Sequence, residues 1–142
     1  MRKFIYLTLA FIAILIIACN NKSAKENPYE GVWVITYSKQ VTPDTTIERT
    51  QISNPNVKLL TKSHYAFGSQ AGTNKINGGG GEYKYKGDTF ISYPKYHTFS
   101  AIVGDSLVMK SKIEGDLWTV TYGYENDTLK VDVTEIWKRI IE

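Results

Sequence analysis

From residue 29 onward, segments of five to ten β-prone residues alternate with Gly, Asn, Asp and Pro punctuation. No stretch sustains the 3.6-residue period of an amphipathic helix, so the pattern predicts an all-β domain. Strands are expected near 32–38, 46–52, 57–61, 64–69, 81–86, 89–93, 98–103, 106–114, 117–124 and 128–140. The turns Lys86-Gly87-Asp88, Gly104-Asp105, Glu114-Gly115-Asp116 and Glu125-Asn126-Asp127 are short, which implies antiparallel neighbours in a meander. The glycine-rich stretch 69–80 breaks this rhythm and reads as a long flexible connection, a candidate mobile rim. Asn77-Gly78-Gly79-Gly80-Gly81 lacks the Lys-Ser/Thr and the strand-to-helix setting of a phosphate loop.

Faces can be assigned in the last three strands. Leu107, Met109 and Ile113 oppose Lys110, Lys112 and Glu114, while Trp118, Val120, Tyr122 and Tyr124 oppose Thr119, Thr121 and Glu125. In the final strand Leu129, Val131, Val133, Glu135, Trp137 and Arg139 oppose Lys130, Asp132, Thr134 and Lys138. Each strand thus has one apolar or aromatic side and one wet side, as a closed barrel or a sandwich requires.

The N-terminus follows another pattern. Basic Arg2 and Lys3 precede an apolar run from Phe4 to Ile17, too short to span the ~30 Å hydrocarbon core but suited to a secretory signal. Leu15-Ile16-Ile17-Ala18-Cys19 resembles a bacterial lipobox. That resemblance implies a signal peptide over 1–18, cleavage before Cys19, and acylation of its sulfur and new amine, which anchors the chain in a membrane. Residues 19–28 then form the lipidated cysteine and a polar tether, and 29–142 the domain. Asn20 after the cysteine resembles the pattern that favours the outer over the inner membrane. Cys19 is the only cysteine, so the domain has no disulfide and no cysteine metal site.

Composition narrows the function. Without Arg2 and Lys3, the 17 basic residues become 15 against 14 acidic ones, a net charge of about +1 that offers no electrostatic case for nucleic acid. Ten Tyr, three Trp and five Phe, all but Phe4, Tyr6 and Phe11 beyond the signal, suit strands and aromatic-lined pockets.

Gly31-Val32-Trp33 at the start of the first strand resembles the Gly-x-Trp signature of lipocalins and related calycin barrels, and Arg139 on the last strand matches their Arg across the Trp. Over about 29–142 the chain is also similar to small lipocalin-like lipoproteins of Bacteroidetes-type bacteria. The similar segments are Lys58-Leu59-Leu60-Thr61 with His64-Tyr65-Ala66-Phe67, Gly79-Gly80-Gly81-Glu82-Tyr83 with Gly87-Asp88-Thr89, and Glu135-Ile136-Trp137-Lys138-Arg139. The resemblance implies an antiparallel up-and-down β-barrel of about 8 to 10 strands, with Trp33 and Arg139 closing its base. Ligand identity does not carry over from a fold.

Glu135 is the residue out of place, a carboxylate on the inward face beside Val133 and Trp137 that must find partners or a ligand. It lies about 13 Å along the strand from Arg139, too far to pair with it. It serves either a ligand or a network of inward Tyr and Thr hydroxyls. Tyr83 with Tyr85, and Tyr122 with Tyr124, share faces and are either core or cavity lining. His64 and His97 form no metal-ligand spacing, no nucleophile stands beside a base, and no cofactor motif occurs, so neither a metal site, a cofactor nor an enzyme is expected. The candidate ligand-binding residues are Glu135, Tyr83, Tyr85, Tyr122 and Tyr124. The expected function is an exported, lipid-anchored barrel that binds a small hydrophobic or amphipathic molecule. The alternative is an envelope accessory or protein-interaction module whose barrel is filled by its own side chains.

Overall fold

The computed structural model describes residues 27–71, 75–125 and 130–140; the expected signal peptide, Cys19 and the expected tether up to residue 26 lie outside the described residues. Among the described residues nine strands follow one another: β1 (Gly31–Val41), β2 (Thr46–Arg49), β3 (Val57–Leu60), β4 (His64–Ala71), β5 (Lys75–Lys86), β6 (Thr89–His97), β7 (Leu107–Glu114), β8 (Leu117–Glu125) and β9 (Lys130–Ile140). All neighbours are antiparallel, and β1 pairs with β9, so eight strands close into an up-and-down barrel with β2 as an extra strand. The first half of β1 pairs with β3 and its second half with β2.

A bulge between Ile35 and Tyr37 shifts the β1–β9 register, so Ile35 faces Trp137 but Ser38 faces Glu135. One extra residue exchanges the two faces of a strand. The inward set on β1 therefore changes from Trp33 and Ile35 to Ser38 and Gln40, and the extruded Thr36 donates its hydroxyl to the Ile136 carbonyl at 3.2 Å.

The glycine run is not a loop. Residues 78–81 lie in β5, paired with β4 and β6, which corrects the expectation of a flexible rim. A side chain at Gly79 would strike the His97 and Phe67 rings at 2.6 and 2.8 Å, and one at Gly81 would meet the Tyr93 carbonyl oxygen at 2.1 Å. Glycine here permits close approach across the strands. Gly81 also faces Pro94 at a register shift, where β6 tolerates a residue without an N–H and continues to His97 rather than ending at 93. The strand expected at 98–103 is a 3-10 turn, Ser100–Ile102, whose Ile102 is buried.

One end of the barrel is plugged by indoles. Trp33 and Trp118 are 0% exposed and Trp137 2%, with Trp33 and Trp118 packed edge to face at 5.5 Å. Their polar atoms are matched: Trp33 Nε1 donates to the Tyr29 carbonyl at 2.8 Å, and Trp118 Nε1 donates to Ser111 Oγ at 2.9 Å. That Oγ also meets the Tyr29 hydroxyl at 3.0 Å. Asn27 and Pro28 already belong to this end, since Asn27 Nδ2 donates to the Lys62 carbonyl and Arg139 Nη2 to the Pro28 carbonyl.

Candidate functional site

Opposite the indole plug, the barrel opens into a cavity of about 340 Å³. Its two sides differ. Phe90 and Pro94 on β6 with Leu107 and Met109 on β7 form a mainly apolar wall that Ser92 interrupts, while Asn56, Lys58, Gln40, Glu135 and Tyr122 bring polar groups to the β3, β1, β9 and β8 side, beside Val131 and Val133. Phe67, His97, Phe99 and Tyr124 stand toward the open end. There Phe67 packs on His97 at 5.2 Å and Phe99 meets Tyr124 edge-on at 6.1 Å. The Phe99 N–H donates to His97 Nδ1 at 2.9 Å, and partial burial pulls the imidazole pKa below its ordinary 6.5.

Glu135 projects into this cavity from β9. Its Oε2 accepts from Trp137 Nε1 at 2.9 Å and its Oε1 from the Tyr122 hydroxyl at 3.5 Å. Burial, then the Glu135 charge, hold the Tyr122 phenol well above its ordinary pKa. The indole and the phenol thus match the inward carboxylate, as a buried acid requires.

The charge that balances Glu135 comes from Lys58, a residue not singled out in the sequence. Lys58 Nζ stands 3.9 Å from the Trp137 ring centre and 4.9 Å from that of Trp118, in cation–π geometry. Burial lowers its pKa from the ordinary 10.5, and the Glu135 carboxylate opposes that shift. Lys58 faces inward because β3 is locked to β1 with Trp33 opposite Lys58, which puts both side chains on one face. The available signal was the alternation of exposed Leu59 with buried Leu60, which is legible only once the inner face is known.

Of the candidate residues, Glu135, Tyr122 and Tyr124 come together around the cavity, but Tyr83 and Tyr85 do not line it. Both sit on the same face of β5 but lie at the plugged end. Tyr83 stacks on Phe90 at 4.9 Å, its hydroxyl donates to the Thr61 carbonyl and accepts from Asn27 Nδ2, and burial pushes its pKa up to about 12. Tyr85 packs beside Tyr29 at 4.9 Å and is 39% exposed. Trp33 and Arg139 meet as the sequence pattern suggests, with the guanidinium 4.1 Å from the indole centre at the closed end.

The architecture is compatible with a lipocalin-like barrel. No family model, no curated protein and no solved structure matches the chain.

Proposed function

We propose that this protein is an exported, lipid-anchored, lipocalin-like carrier or receptor, not an enzyme, and that it holds a small amphipathic molecule inside its barrel. The observation that carries this reading is the cavity of about 340 Å³, whose polar groups cluster opposite a mainly apolar wall. That volume is within the ~300–1,000 Å³ range of small-molecule sites. A barrel of eight strands is just wide enough for its own side chains to fill it, so an unfilled interior favours binding over a purely structural barrel. Export and anchoring rest on the sequence: Arg2 and Lys3, the apolar run 4–17 and the lipobox-like approach to Cys19. The outer membrane is the preferred destination. Because Asn27 and Pro28 attach at the plugged end, a lipid on Cys19 would leave the mouth directed away from the bilayer.

Mass spectrometry of organic extracts from the purified full-length protein tests this reading. One or a few molecules small enough for the cavity are expected at near one per protein. Extracts matching those of an unrelated lipoprotein purified in the same way would contradict it.

A further inference from the structure

The cavity balances its charges but not its hydrogen-bonding groups. Among the described residues, Lys58 Nζ makes no hydrogen bond and no ion pair; it rests on the faces of Trp137 and Trp118. Two residues earlier, Asn56 Oδ1 is buried with no hydrogen-bond donor, and Asn56 lines the same cavity. Glu135, by contrast, is engaged by Trp137 and Tyr122. An unmet acceptor on buried Oδ1 is costly, while the donors on Nζ are open to the cavity, and a ligand bearing the complementary groups satisfies both.

The same geometry discriminates by charge. A carboxylate headgroup would gain the Lys58 cation but meet Glu135, and an ammonium would gain Glu135 but meet Lys58. In a partly dry cavity the like-charge contact offsets the attraction. An uncharged group that both accepts and donates satisfies Lys58 and Asn56 and meets no like charge. We infer that the cavity selects a small amphipathic molecule whose polar end is uncharged and carries both an acceptor and a donor, such as a primary carboxamide or an alcohol. The acceptor lies on Lys58 Nζ and the donor on Asn56 Oδ1. The apolar body lies along Phe90, Leu107 and Met109. This inference rests on the ligand-binding reading above and adds to it the chemistry of the headgroup.

The test uses the full-length chain in phospholipid nanodiscs, with empty nanodiscs subtracted. Tryptophan fluorescence, which reports the indoles beneath Lys58, is titrated with octanamide, octanoate and octylammonium. Octanamide is expected to bind at least about tenfold more tightly than either ion, a difference of ~1.4 kcal/mol. Glu135→Gln should move the preference to octanoate and Lys58→Met to octylammonium, opposite inversions that a structural role for these residues would not produce. Circular dichroism verifies that each variant is folded. If either does not fold, Asn56→Leu provides the test, by weakening octanamide about tenfold while leaving octanoate unchanged. Tighter binding of octanoate or octylammonium than octanamide by the wild type would overturn the headgroup assignment and leave the cavity reading standing. No saturable response to any of the three would overturn both.

Discussion

Arg139 lies 4.1 Å over the Trp33 indole and also donates to the carbonyls of Pro28 and Glu30, so one side chain joins the last strand to the first strand and to the segment that precedes it. Trp33→Ala is expected to cost about 3–5 kcal/mol, the range for emptying a fully buried indole site. A double-mutant cycle between Trp33→Phe and Arg139→Gln should show coupling of about 0.5–2 kcal/mol. Denaturant titration checks both. Additive effects would mean that the two residues act independently.

The glycine run provides a second test. Gly81→Ala brings a Cβ within 2.1 Å of the Tyr93 carbonyl oxygen, whereas at Gly78 the nearest atom, the Phe67 carbonyl oxygen, is 3.2 Å away. Overpacking against backbone costs about 1–3 kcal/mol or more, so Gly81→Ala should destabilise clearly more than Gly78→Ala. Equal and negligible effects would return this segment to a loop.

Much of the site could be read from alternation, and the exceptions have identifiable causes. Glu135 stands out because β9 keeps a strict period of two from Val131 to Arg139, and Arg139 and Trp33 meet because they are direct cross-strand partners where β9 closes onto β1. Alternation reveals a side chain's face but not its height along the barrel axis, so Tyr83 and Tyr85 shared a face yet fell at the plugged end. Glycines carry no side chain and so leave no alternation to read, which hid the first half of β5. Lys58 lies on a four-residue strand whose register is set by Trp33 in another element. Bulges at Thr36 and near Lys95 exchange inner and outer faces within a strand, and only pairing reveals them. The 98–103 segment has strand-like composition, but Phe99 and Ile102 pack at the mouth from a turn.

Lys58 has a measurable pH signature. Burial lowers its folded-state pKa below 10.5, so between the folded and unfolded values the unfolded chain binds more protons. Stability therefore rises with pH across that window; the contribution is complete above about 10.5 and lost as pH falls through the folded value. Lys58→Met removes this dependence, so the wild type should gain stability relative to the variant as pH rises toward 10.5. Taking the difference cancels the tyrosine ionisations common to both. Parallel unfolding curves across that range would contradict the burial of this amine.

Cys19→Ser lacks the thiol needed for diacylation. Metabolic labelling with a fatty acid and globomycin-sensitive processing should both disappear in cells expressing it. Continued acyl labelling of the variant would contradict anchoring through Cys19.

Occupancy of the cavity is measured most directly by native mass spectrometry of the full-length protein beside Leu107→Trp, which fills the apolar wall opposite Lys58 and Glu135. The wild type should carry a discrete small-molecule adduct that disappears on collisional activation, and folded Leu107→Trp should carry none. The same adduct in both proteins, or none in the wild type, would contradict ligand binding inside the barrel.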